Sequence, residues 1–332
     1  VQTTKFGKTG LMISRLCFGT ATLGKQTEEK TAFKILDRVA DAGINFIDTA
    51  DGYPMGADFT LAGRTEEIVG RWLKNKRQQF ILATKGGLPM GPEPWSQGAS
   101  RKHLLDAIDG SLKRLRTDYV DLYQVHFDDR ATPLDETLEA LDTIVRSGKA
   151  RYIGVSNILA YRLARAIGRS DTLKISRYVS VQPRYNLLFR EIERELLPLA
   201  QEEGVAVIPF NPLAGGLLTG KYNKNETPTE GRFSGAISNN FGALYQQRYW
   251  HNRQFETVSQ LGEIAKTRGV PLTTLSVAWV LANPTITAAI LGASRLEQLD
   301  DSLAAANYAI DPELKEQLDD LTAEYRRGDA DR

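Results

Sequence analysis

Along residues 14–291, short runs rich in β-branched and apolar residues alternate with longer segments whose apolar positions recur every three or four residues. The runs at 14–19, 44–48, 80–85, 120–126, 150–155, 178–182, 205–209 and 285–291 predict eight strands. Amphipathic segments at 28–42, 65–75, 101–116, 134–147, 159–168 and 191–203 predict helices between them, the first stopped by Gly43. Strands this short, joined through helices, are expected to run parallel, and eight of them can close into an α/β barrel. Two segments exceed that plan. Residues 4–13 set Lys8-Thr9-Gly10 between two short extended pieces, which predicts a hairpin plugging the barrel floor. Residues 221–249, rich in Asn, Gly, Thr and Ser with scattered aromatics, predict a structureless segment, and one that long counts either against the element assignment or for a functional lid; its place after a strand exit favours the lid.

Composition then narrows the partners. In 332 residues, 42 Lys+Arg against 41 Asp+Glu leave a net charge of +1, so no overall field points to nucleic acid. Hydrophobic content of 42% and charged content of 25% fit a soluble globular chain with a large core. Cys17 is the only cysteine, which excludes an intrachain disulfide and suits a reducing compartment. There is no run of 18 apolar residues and no signal-peptide pattern, so the expectation is a cytoplasmic protein without membrane insertion. His103 and His251 do not combine with Cys17 at metal-ligand spacing, and no metal is expected.

The candidate chemistry sits where predicted strands end. Asp48 closes the run in NFIDTADGYPMG, Lys85 closes ILATKGG and His126 closes VDLYQVH. In a closed barrel the C-terminal ends of neighbouring strands surround one mouth, so these residues and the loop Tyr53 would share a pocket. A tyrosine is a poor acid at neutral pH, but a nearby ammonium favours its anion and is expected to lower its pKa. Lys85 can supply that cation, Asp48 can hold it, and His126 can donate to a substrate oxygen. Such a set can protonate an alkoxide forming on a carbonyl carbon, and a nicotinamide hydride would complete the reduction. Asp51, beside Gly52, reads as a turn former. Phe18, Trp95 and Phe127 lie at strand exits or on a mouth loop and are candidates for a substrate wall. A hydrolytic barrel would instead want a carboxylate pair or a metal set here.

The runs FGKTGLMISRLCFGT, GINFIDTADGY, ILATKGG, DYVDLYQVH, GKARYIGVSN, VQPRYNLL, IPFNPLAGGLLTGKY and AAILGASRLEQLDD, in this order, resemble the aldo-keto reductases over nearly the whole chain. The resemblance implies one domain over 1–332, a (β/α)8 TIM barrel with an N-terminal β-hairpin and extra C-terminal helices. It also implies reversible reduction of a small-molecule carbonyl compound by NADPH, with a tetrad falling on Asp48, Tyr53, Lys85 and His126. Ser156, Asn157 and Gln182 match the residues that bind the nicotinamide carboxamide, and Phe210 falls where an aromatic ring stacks on the nicotinamide. Asn211, Leu213 and Gly215 match the residues along the pyrophosphate, with Gly216 letting the chain pass close. Gly292, Ser294, Arg295 and Gln298 match the segment around the adenosine phosphate, and Arg295 with Ser294 favours NADPH over NADH. Asp301 and Ser302 stand where the family commonly has Glu-Asn against the adenine. The same resemblance extends to nucleotide-sensing subunits of potassium channels, which is the alternative to an enzyme. Substrate choice is expected to reside in loops 54–63, 89–100 and 221–249, whose composition ranks no substrate. The family contains monomers and oligomers, so the oligomeric state stays open.

Overall fold

A computed structural model of the chain describes residues 1–56, 58–226, 228–235 and 238–327. Parts of the expected loops 54–63 and 221–249, and the end of the expected domain at 328–332, lie outside the described residues. Among the described residues there are ten strands: β1 (Thr3–Lys5), β2 (Met12–Ser14), β3 (Leu16–Gly19), β4 (Phe46–Asp48), β5 (Ile81–Gly86), β6 (Val120–Val125), β7 (Ala150–Ser156), β8 (Tyr178–Gln182), β9 (Ala206–Val207) and β10 (Ala289–Leu291). The last eight form one parallel sheet in the order β10-β3-β4-β5-β6-β7-β8-β9. The two outer strands meet through a parallel bridge from Val207 to Ile286, with Thr287 N donating to Val207 O at 2.8 Å and Ile290 N to Pro209 O at 2.9 Å. The sheet is therefore a closed (β/α)8 barrel, as expected.

The helices form for the reason their spacing suggests. In Glu29–Asp41, the buried residues Ala32, Ile35, Leu36 and Val39 recur on one face and pack on the sheet. The segment expected as one helix at 191–203 is instead a 3₁₀ turn, Glu191–Glu193, followed by the α-helix Leu196–Glu203. Pro198 explains the break: without an N–H it fits only in a first turn, where amides have no intrahelical partner. Between β9 and β10 the chain adds the helices Asn239–Tyr249, Asn252–Thr267 and Leu272–Ala282.

Two cores result. Phe6, Ile13, Cys17, Phe46, Ala83, Leu122, Ala206, Ile208 and Ala288 fill the barrel interior. The antiparallel hairpin β1–β2 closes its floor, with Phe6 edge-on to Phe46 at 5.9 Å. The larger core lies between sheet and helices. With the floor sealed by side chains, the C-terminal end of the barrel is the open one.

Candidate active site

Three barrel strands bring the expected acid set together. Lys85, wholly buried on β5, donates from Nζ to Asp48 Oδ2 at 2.6 Å and to the Thr49 carbonyl at 2.8 Å. The other carboxylate oxygen, Oδ1, accepts from Gln182 Nε2 at 2.9 Å and Gln124 Nε2 at 3.2 Å. Burial alone would lower the Lys85 pKa, but Asp48 and Tyr53 outweigh it, so the ammonium holds its proton more tightly than an ordinary lysine.

Tyr53 stands on the turn after β4. Its amide donates to Ala50 O at 3.3 Å, and its carbonyl accepts from Gly63 N at 3.0 Å, pinching the loop back at the start of the helix Arg64–Trp72. At Gly52 a Cβ would lie 2.5 Å from Leu88 Cδ1 and 2.8 Å from Leu88 Cβ, so the glycine lets Leu88 pack directly on the turn. Lys85 Nζ lies 5.1 Å from the centre of the Tyr53 ring, near enough for its charge to act on the phenol. The direction of the net shift corrects the expectation from sequence. Burial raises the Tyr53 pKa, Lys85 pulls against it and Asp48 adds to it, and the balance lies above the ordinary value. Low dielectric around a half-buried phenol at the floor of the cavity penalises its anion more than one shared ammonium compensates.

His126 follows β6 and meets the Tyr53 ring edge-on at 5.7 Å. Burial, then the Lys85 charge, push its pKa well below the ordinary value, so the imidazole is neutral at neutral pH. Its Nδ1 is buried without a hydrogen-bond partner among the described residues. An orphaned acceptor is easier to bury than an orphaned N–H, which puts the proton on Nε2.

From this set a cavity of about 900 Å³ runs across the barrel mouth. Its lining includes Asp48, Tyr53, His126 and Phe127, together with Ser156, Asn157, Gln182, Phe210, Asn211, Leu213 and Gly215, and with Gly292, Ser294, Arg295, Gln298, Asp301 and Ser302. Ser156 Oγ donates to Gln182 O at 2.8 Å and accepts from Asn157 Nδ2 at 3.0 Å. Asn211 Oδ1 accepts from Gly215 N at 2.6 Å, and the chain turns there with φ of 72° at Gly215 and 100° at Gly216. Gln298 Oε1 accepts from Ser294 N at 2.8 Å and Arg295 N at 3.3 Å, while Arg295 pairs with Glu230 at 3.1 Å.

Two wall candidates lie elsewhere. Phe18 is wholly buried, because the β3 side chains point into packed layers, and does not line the cavity. Trp95 is 55% exposed on its loop and does not line it either. Phe127 does, stacked on His126 at 5.0 Å and 53% exposed. The segment 221–249 is not structureless: Ser238 caps the helix Asn239–Tyr249, accepting from Phe241 N at 3.2 Å. Its scattered aromatics meet in one cluster, with Phe233 5.0 Å from both Tyr222 and Trp250.

Several residues were missed from the sequence. Gln124 alternates with His126 along VDLYQVH, a polar residue in an apolar strand, and that was its signal. Lys221 and Arg232 also line the cavity: Lys221 lies within the field of Arg295, while Arg232 donates to Met55 Sδ, acts on Tyr53 and has no carboxylate partner among the described residues. Burial, then Arg295, lower the Lys221 pKa against the opposing pull of Glu230, so two cations lie within reach of each other here. Asp51 lies in a turn as expected, but its side chain is wholly buried and neither oxygen makes a well-formed hydrogen bond among the described residues, the Gly52 amide being the one donor near it.

A closed parallel barrel with Asp, Tyr, Lys and His gathered at its mouth has the architecture of the aldo/keto reductases, and the chain belongs to that family, which matches residues 15–323. NADPH-dependent carbonyl reduction is the family's general activity. Within it, the chain is 40% identical over 329 residues to the uncharacterized oxidoreductase YrpG of Bacillus subtilis, covering 97% of this chain and 96% of that one. It is 36% identical to a probable voltage-gated potassium channel subunit beta of Arabidopsis thaliana, over 92% of each chain. It is also 35% identical to the aldo-keto reductase YhdN of Bacillus subtilis, over 90% of this chain and 87% of the relative. No helix among the described residues is long and apolar enough to cross a membrane. Among them, no group of three or more His, Cys, Asp or Glu could hold a metal ion.

Proposed function

We propose that this protein reversibly reduces aldehydes or ketones with NADPH, Tyr53 delivering the proton to the carbonyl oxygen. One observation carries the reading: the Asp48–Lys85 pair, Tyr53 and His126 stand at a cavity that Lys221, Arg232 and Arg295 also line. The cavity is far larger than a small carbonyl compound needs, and Lys221, Arg232 and Arg295 suit a polyanion. The positive φ at Gly215 and Gly216 lets the backbone pass close to a pyrophosphate, so the residues present fit a dinucleotide. When bound, the nicotinamide supplies a hydride to the carbonyl carbon.

The chain's own residues then handle the proton and the charge. His126 Nε2–H steadies the carbonyl oxygen as charge develops, and Tyr53, protonated at neutral pH, donates to it. Lys85, held by Asp48, stabilises the phenolate left behind. Ser156, Asn157 and the Gln182 Oε1 left free by the Nε2–Asp48 bond are assigned to the carboxamide. Phe210 is assigned to stacking, Asn211, Leu213 and Gly215 to the pyrophosphate, and Gly292, Ser294, Arg295, Gln298, Asp301 and Ser302 to the phosphorylated adenosine. Phe127, over His126, is the remaining candidate for the substrate wall.

A panel of aliphatic, aromatic and sugar-derived carbonyl compounds, scored by NADPH oxidation, tests the reading; turnover of at least one is expected. The relative described as a potassium channel subunit favours a second reading, a nucleotide-sensing role. Tight NADPH binding without turnover of any member of the panel would decide for it.

Cofactor choice is testable separately. Arg295→Ala should weaken NADPH far more than NADH, since only NADPH carries the 2′-phosphate. A charge-assisted hydrogen bond of about 1.5–3 kcal/mol makes the loss of discrimination roughly 10- to 150-fold. Arg295 is exposed, so solvent screening puts the expectation at the lower end. Fluorescence titration with both cofactors measures it, and equal weakening would move Arg295 to the shared part of the dinucleotide.

A further inference from the structure

Behind the Tyr53 turn lies a second set of buried polar groups that the proposed reaction does not use. Asp51, Glu66, Thr84 and Tyr123 are all wholly inaccessible to solvent. Glu66 is fully served: it accepts from Thr84 Oγ1 at 2.5 Å and from Arg114 Nε at 2.7 Å. Asp51 is not. Its amide donates to the Lys85 carbonyl at 3.0 Å, sewing the turn to β5, but its carboxylate oxygens make no well-formed hydrogen bond among the described residues, the Gly52 amide being the one donor near them.

The charges facing Asp51 can be counted. Glu66 comes from the helix Arg64–Trp72, Arg114 from the helix Arg101–Leu115, Lys85 from β5, and Tyr123 from β6. Arg114 is already paired with Glu66, and Lys85 with Asp48. Two cations thus serve two other carboxylates, and an ionised Asp51 would be a third anion, buried and unpaired. A carboxylate can only accept, and the one donor close to it, the Gly52 amide, is too poorly aligned to satisfy it; a carboxylic acid brings its own donor, and the Glu66 carboxylate is an acceptor within its field.

We propose that Asp51 is a neutral carboxylic acid in the folded protein and serves as a positioning residue, packing beneath the Tyr53 turn while leaving the Lys85 charge to Asp48 and Tyr53. The role rests on the carbonyl-reductase reading, because it acts through Tyr53. Burial, then the Glu66 charge, hold the Asp51 pKa well above the usual carboxylate range, in keeping with that state. An ionised Asp51 would put a second anion near Lys85 and make the Tyr53 phenolate harder to form.

Two measurements test it independently of each other. In infrared spectra at neutral pH, the wild-type protein should show the carbonyl band of a protonated buried carboxyl, absent from Asp51→Asn; a band-free wild type overturns the proposal whether or not the protein turns over any substrate. In kinetics, Asp51→Asn, neutral and of the same shape, should keep turnover within about 3-fold, whereas Asp51→Ala should lose roughly 10- to 100-fold in kcat with the cofactor KM unchanged, the cost of a displaced acid. Equal losses in the two folded variants would show that the charge matters and the shape does not, and would overturn the assignment. The pH dependence of stability adds a further readout. A carboxyl with a raised folded pKa leaves stability full below its unfolded value, about 3.9, and removes it as pH rises toward the folded value. Thermal stability of Asp51→Asn should therefore exceed wild type increasingly above about pH 4, and parallel profiles would count against a neutral Asp51.

Discussion

Replacing Tyr53 by phenylalanine should cut carbonyl turnover by roughly 100-fold or more, the range for loss of a positioned general acid. The ring would stay in place, edge-on to His126 and held by the same backbone bonds from Gly63 and to Ala50, so fold and NADPH affinity should change little. Only the hydroxyl is removed. Wild-type reduction should be flat through neutral pH, because burial holds the phenol above its ordinary pKa, and should fall only at strongly alkaline pH. Alcohol oxidation should rise over the same alkaline range, since it needs the phenolate. Steady-state kinetics in both directions with saturating cofactor check this; full activity in the phenylalanine variant would remove Tyr53 from the proton transfer.

Lys85→Met should be worse for the protein as a whole. The ammonium is wholly buried against Asp48, and removing one partner of a buried pair leaves an uncompensated charge, which costs about 3–5 kcal/mol of stability. Asp48 would keep its two amide donors, Gln124 and Gln182, so the site should loosen without emptying. Turnover should fall as well, because an apolar side chain cannot stabilise the phenolate, and the alkaline limb of reduction should move to higher pH. Denaturant unfolding and a pH–rate profile measure the two effects. A profile identical to wild type in a folded variant would exclude Lys85 from the chemistry.

Much of this site was legible because barrel geometry converts strand ends into neighbours. Asp48, Lys85 and His126 each close an apolar run, and a polar residue in that place has few other reasons to be there. The pattern failed where periodicity carries no information. In the helix Leu272–Ala282, nine residues from Leu272 to Val280 are buried, so no polar stripe marks its face, and it passed unread between two strands. The helix Asn239–Tyr249 hid in a polar segment because its two buried tyrosines, Tyr245 and Tyr249, pack against an aromatic cluster assembled from distant residues. The Tyr53 pKa was misjudged for a related reason: sequence shows the cation that lowers it, while burial, which raises it, exists only after folding. Phe18 failed through direction, since a strand exit does not say which way a side chain points.

The ion pair between Arg295 and Glu230 bears on selectivity in a way a list of contacts misses. On the proposed placement of the 2′-phosphate, NADPH does not meet a waiting guanidinium; it must evict an anion that the protein itself supplies. NADH evicts nothing. Preference between the two cofactors is then set by an exchange of one anionic partner for another, and its size depends on the incumbent as much as on the arginine. Neutralising the incumbent with Glu230→Gln should sharpen the preference for NADPH with no new contact to the cofactor. Raising ionic strength should blunt that gain, because both charges are exposed. Evolution could thus tune cofactor choice from residue 230 while leaving residue 295 unchanged.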